Sequence, residues 1–130
     1  MAFVDLTTKK NSNPINGKDE IVIRKRLAFY DGGRSLDVTG VTEEALYAGH
    51  IIVQDATTKE LKPLAVDGDN FAAPSEGQTI VGVLGSSIFT KKAFATILVA
   101  GVIGEGAMPY KMTPEVKTAL KSAVPTLVLH

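Results

Sequence analysis

The chain has no cysteine and no tryptophan, only two histidines, and a formal net charge of zero over 130 residues. Without cysteine there are no disulfides, thiolate metal ligands or cysteine nucleophiles. Two histidines alone are a poor inventory for a metal centre. Fourteen basic residues balance fourteen acidic ones, so the single-sign field that usually advertises a nucleic-acid binder is absent. Aromatic residues make up only 6% of the chain, so packing must rest on Val, Ile, Leu and Ala. Long apolar runs are missing too. The uncharged stretch from Ala93 to Gly104 is about half of the ~20 residues that span a bilayer as a helix. The opening Met-Ala-Phe-Val-Asp-Leu lacks the basic start and apolar stretch of a secretory signal. Neither a membrane partner nor a nucleic-acid partner is expected.

What remains is a globular balance, 45% apolar and 22% charged, with enough length for one hydrophobic core. Residues 1–20 are polar and turn-rich, with Asn13-Pro14 and Asn16-Gly17 close together, and read as a flexible arm ahead of a single domain over 21–130. The first 34 residues hold seven bases (Lys9, Lys10, Lys18, Arg24, Lys25, Arg26, Arg34) against four acids (Asp5, Asp19, Glu20, Asp31). Their one dense cluster, Arg24-Lys25-Arg26, reads as a solvated strand end or a contact to a protein partner.

Alternation of Ile21, Ile23, Leu27 and Phe29 predicts a strand with those residues on one face, closed by a turn at Asp31-Gly32-Gly33. Thr42 followed by Glu43 and Glu44 predicts a capped helical turn that Gly49 ends. His50–Asp55 and Glu60–Val66 read as a strand and its return, and Pro63 places the return at an edge. Asp67–Asn70 is a turn. Residues 79–89 and 93–104 then predict two strands joined at Thr90-Lys91-Lys92, bent by Gly82 and Gly85. In the second, Ile97 and Val99 share one face while Leu98, Ala100 and Val102 share the other, so both faces are expected to be buried. Thr113, Pro114 and Glu115 mark the start of the clearest helix, with Val116, Ala119, Leu120 and Ala123 as its apolar stripe and Pro125 as its stop. Residues 126–130 add a final strand. The fold class is therefore mainly β with short helices, a small sheet or barrel-like domain behind an extended arm.

Chemistry is harder to find. Gly101, Gly104 and Gly106 have the wrong order for a dinucleotide loop, and Pro109 follows them where a helix should start. Asp67-Gly68-Asp69 lacks the ligand series of a calcium loop. His50 and His130 read as an ordinary surface or interface residue and a mobile terminal one, and no base–nucleophile pair emerges with Ser35, Ser86, Ser87 or Ser122. Glu43 and Glu44 are adjacent, so on the expected helical turn their side chains diverge, and they read as helix-start charges and not as a catalytic carboxylate pair. No catalytic, cofactor-binding or metal-binding residue is assigned, no cofactor is expected, a small-molecule ligand is not expected, and the chain is not read as an enzyme.

Four features in fixed order are more specific: Ala48-Gly49 before a strand, a Lys59–Pro63 return, Gly82-Val83-Leu84, and the Val- and Ala-rich run Thr96–Gly106. With the closing "TPEVKTALKSAVPTLVLH", this pattern over roughly residues 35–130 resembles the head decoration proteins of tailed bacteriophages, the lambda D-like family. The resemblance implies a non-enzymatic structural protein of the virion. It would be made in the host cytoplasm and bind as a homotrimer at threefold positions on the outside of the expanded head, stabilising the major capsid protein. It further implies a capsid-contacting arm, with Ala2, Phe3, Val4, Leu6, Lys9, Lys10, Pro14 and Ile15, and a trimer interface at Ile97, Val99 and Val102. The alternative is a head-fibre base or a module that binds host-surface glycans, for which Tyr30, Tyr47 and Tyr110 are the only tyrosines available.

Overall fold

The computed structural model describes residues 19–30 and 34–130. The arm residues Ala2 to Ile15 and the Asp31–Gly33 turn lie outside the described residues. A helical turn α1 (Asp19–Val22) leads into β1 (Ile23–Phe29), followed by β2 (Arg34–Ser35), β3 (Ala45–Leu46), β4 (Ile51–Asp55), β5 (Leu61–Pro63), β6 (Val66–Asp67) and β7 (Asn70–Phe71). Then come β8 (Gln78–Leu84), β9 (Ile88–Phe89), β10 (Phe94–Ala95), β11 (Ile97–Ile103), a 3-10 turn over Glu105–Ala107, α2 (Pro114–Ala123) and β12 (Leu127–Leu129).

The fold is mainly β, as the composition and alternation predict. Its centre is one six-stranded sheet in the order β1-β11-β8-β4-β5, with β12 also on β11. The sheet stays open at β1 and β5, so no closed barrel forms. Three two-stranded ribbons, β2 with β10, β3 with β9 and β6 with β7, surround it. Among the described residues no helix is long and apolar enough to cross a membrane.

Strand β11 organises the sheet. One of its edges is taken by β1, from Ile23 opposite Ile103 to Phe29 opposite Leu98. The other is divided: Ile97 and Leu98 pair with Leu84 and Val83 of β8, and Gly101 to Ile103 pair in parallel with β12. Strict alternation would put Leu98 and Ile103 on opposite faces, yet both belong to one core. The parity changes where β1 and β11 lose register, around Arg26–Phe29. Gly101 sits opposite Arg26, and a Cβ there would run into the Lys25 carbonyl. Glycine therefore permits the close approach that the shift requires.

Both faces of the sheet carry buried apolar residues. On one face Val22, Ile51, Val53, Phe71, Ile80, Val83, Leu98 and Ile103 pack with Val116, Leu120 and Val124 from α2 and its end. On the other, Leu36, Leu46, Ile52, Leu84, Ile88 and Ile97 pack with Ala93 and Ala95. The unbroken apolar run Ile51-Ile52-Val53 is explained by this two-sided burial: Ile52 points to one core, its neighbours to the other.

Several expectations are corrected. Ile21 and Leu27 are 53% and 65% exposed, because Ile21 belongs to α1 and β1 is an edge strand with only Ile23 fully covered. No helical turn follows Thr42: the Glu43 and Glu44 carbonyls accept from the Thr90 hydroxyl at 3.0 and 3.1 Å, and Ala45–Leu46 pairs with β9. Strands β8 and β11 are neighbours, but residues 85–96 make an excursion through β9 and β10 instead of a tight hairpin. Pro63 does lie on an edge strand, as its missing N–H demands. In α2, Thr113 accepts from the Val116 N–H at 3.3 Å and Pro114 occupies the first turn. Ala123 is exposed, and Val124 takes its place in the core.

Candidate functional site: an acidic, tyrosine-lined cleft

The segment after β2 lacks regular structure until β3, because its polar groups are claimed one at a time. Asp37, almost wholly buried, accepts from the Thr39 N–H at 3.1 Å and the Thr39 hydroxyl at 2.6 Å. Lys62 stands 3.9 Å away. The Thr39 hydrogen bonds hold the Asp37 carboxyl at about 2, well below the usual carboxylate range. Thr90 secures the far end of the segment through the Glu43 and Glu44 carbonyls. Residues 39–47 thereby form one wall of a cleft of about 750 Å³, residues 63–66 form part of the rest, and His50, Phe89 and Tyr110 also line it.

His50 is buried, against the expectation of a surface or interface residue. The turn at Gly49 inserts it: Gly49 has φ +92°, and a Cβ there would collide with Val22. The imidazole meets the rings of Phe71 and Tyr110 edge-on, with centroids 5.1 and 5.7 Å apart. Its Nε2 lies 3.0 Å from the Leu64 carbonyl. A carbonyl only accepts, so Nε2 carries the proton. Burial pushes the His50 pKa below its ordinary value, although the Leu64 hydrogen bond and the Glu43 charge pull the other way. The ring is neutral at pH 7.

Glu43, Glu44, Tyr47 and Tyr110 complete the chemistry of the cleft. Burial pushes the Tyr110 phenol up, and the Glu43 carboxylate adds to the shift, so its O–H is a donor at neutral pH. Both glutamates are exposed, and neither carboxylate has an ion-pair partner among the described residues. Among the described residues no lysine or arginine lines the cleft. The arrangement can accept hydrogen bonds, stack on a ligand and attract positive charge. Among the described residues, no group of three or more His, Cys, Asp or Glu is placed to hold a metal ion.

The residues singled out from sequence fall elsewhere. Ile97 is fully buried in the chain's own core, which leaves Val99 and Val102 of that trio with surface to offer. Val102 lies in register with Val128, 52% exposed, and with Lys25. Arg24, Lys25 and Arg26 are exposed on β1, where the Arg24 guanidinium meets the His130 ring at 3.2 Å and Arg26 donates to the Gly85 carbonyl at 3.4 Å. His130 is anchored: its N–H donates to Ile103 at 2.9 Å and its carbonyl accepts from Glu105 at 3.2 Å. Of the three tyrosines, Tyr47 and Tyr110 share the cleft, while Tyr30 stacks under Arg34 at 5.6 Å. Sequence reasoning missed the cleft because its members come from four separate stretches, 39–50, 63–66, Phe89 and Tyr110; the run Thr42-Glu43-Glu44 beside Tyr47 was its only local trace. No protein-family profile, curated protein or solved structure matches the chain.

Proposed function

We propose that the chain is a structural virion protein that binds the outside of an expanded phage head at threefold positions as a homotrimer and stabilises the major capsid protein lattice. One observation carries the reading. The four segments of the sequence resemblance fall on, or directly before, β4, β5, β8 and β11, which lie side by side in one sheet in the order β11-β8-β4-β5. The pattern is thus a single structural unit and not scattered similarity.

Two features suit that role. Residues 1–18 run directly into α1 and β1, and β1 is an edge strand whose outer side no described strand covers. Such edges accept added strands from partners. In this reading the arm residues Ala2–Ile15 engage the capsid beside that edge, and Val99 and Val102, extended by Val128, serve subunit contact. Three copies on one symmetric site multiply modest contacts into tight overall attachment. The chain itself acts by binding, without catalysis.

The test is binding of labelled protein to expanded and unexpanded empty heads of the source phage, beside a version lacking residues 1–16. Saturable binding to expanded heads only, in proportion to threefold sites and weakened by the deletion, is the expected outcome. Binding to neither form sinks the reading, and a host-glycan array then tests the adhesion alternative.

A further inference from the structure

The cleft beside β3 has no part in that reading. Its walls combine three properties that rarely meet by accident. It is deep enough, at about 750 Å³, for a whole side chain and some backbone. Its lining includes the rings of Tyr47, 40% exposed, and Tyr110, with the apolar Leu64 and Pro63. Glu43 and Glu44 also belong to the lining, with no lysine or arginine of the described residues beside them, the Glu43 charge acts on both His50 and Tyr110, and the histidine is neutral at pH 7. A negative, ring-lined cleft with apolar walls is complementary to a cation on an apolar stem: the charge meets Glu43 and Glu44, the rings face it, and the methylenes cover the apolar residues.

We infer that this cleft is a binding site for a lysine or arginine side chain presented by an extended segment of a protein partner, held by Glu43 and Glu44 against Tyr47 and Tyr110. A protein source is favoured over a free polyamine by the wall itself. Strand β3 lies in that wall and, among the described strands, pairs with β9 alone, so backbone as well as charge is available to a peptide. A neutral sugar could use the tyrosines, but it leaves two carboxylates uncompensated. The inference is independent of the virion reading, and either can fail alone.

The probe is a blocked pentapeptide, Ala-Ala-Arg-Ala-Ala, titrated into isotopically labelled full-length protein at pH 7 and followed by NMR. Its counterpart with citrulline, a neutral isostere of arginine, serves as control; spermidine and N,N′-diacetylchitobiose are separate arms. The expected result is saturable shifts confined to residues 39–47, 63–66 and 110, weakened by salt. The citrulline peptide should bind at least ~tenfold more weakly, because a charge-assisted hydrogen bond becomes a neutral one. Glu43→Gln with Glu44→Gln should remove the arginine preference while the melting temperature stays within the range of surface substitutions. Tyr110→Phe, which keeps the ring and deletes the hydroxyl, should keep most of the affinity. Equal binding of the arginine and citrulline peptides, shifts located elsewhere, no binding up to millimolar peptide, or tighter binding of spermidine or the disaccharide each overturns it.

Discussion

The two faces of the central sheet are closed in different ways. One is covered by α2 and the 66–71 hairpin and buries the larger cluster, from Val22 to Leu127 and including the fully buried Phe71. The other is covered by two-residue strands and the loops between them, over a smaller cluster that includes two alanines. Apolar area dominates the first face. The second depends more on individual polar ties: the Leu36 N–H to Ala93 and the Asp37 N–H to Leu61, both at 2.7 Å, and the Asp37–Thr39 bonds. A helix covers a sheet with a few long side chains, whereas short ribbons must be fastened at each crossing. The cleft sits where such fastening replaces regular structure.

Substitutions can break this contrast. Phe71→Ala should cost the most, about 3–5 kcal/mol by denaturant unfolding, since it empties the site of the largest fully buried side chain and removes two ring contacts. Leu36→Ala on the ribbon-covered face should fall toward the low end of about 2–5 kcal/mol, because short strands can settle into the space. If Leu36→Ala proves the costlier change, the ribbons are as rigid as the helix and the contrast fails.

Acid separates the faces as well. His50 has a folded pKa below 6.5, so the unfolded chain binds the proton more readily. Its contribution is complete above pH 6.5 and is lost as pH falls through the lower folded value. Asp37 is depressed from 3.8 to about 2, so its contribution is complete above pH 3.8 and disappears as pH falls toward 2. Melting curves from pH 7.5 to 2 should decline in two stages. His50→Gln should flatten the upper stage, and Asp37→Asn the lower. A single stage unaffected by either substitution would contradict the assignment.

Smaller effects sharpen the picture. Thr113→Ala removes the hydroxyl that accepts from Val116 and should lower stability by about 1 kcal/mol in thermal unfolding. Glu105→Gln breaks the 2.6 Å pair with Lys117, but both side chains are about a third exposed, so a loss under ~1 kcal/mol is expected.

The legible parts of the fold were those with a period. Helix α2 announces itself through Thr113, Pro114 and its stripe, and β4, β8 and β11 through runs too apolar for any surface. The two-residue strands β2, β3, β9 and β10 have no period to read, since two positions fit a turn as well as a strand. At Thr42 a sound local signal lost to tertiary structure: Thr90, nearly fifty residues away, claims the carbonyls that a helical turn would have used. His50 was misread for a related reason. Its burial comes from Phe71 and Tyr110, which no local window contains. The same distance hid the cleft, whose acidic and aromatic members become neighbours only after β3 and β9 pair.

The divided edge of β11 also has a kinetic meaning. Its partners are β1 from the start of the described chain, β8 from the middle, and β12 from the last residues. Loop closures of this span are slow to find, and β-rich topologies dominated by distant pairings fold on the order of milliseconds to seconds. During synthesis β8 can pair with β4 early, but β11 cannot complete its neighbourhood until residues 127–130 have left the ribosome. Until then Val102 and Ile103 lack a partner strand on one side, which marks the interval in which the nascent chain is most exposed to misassociation.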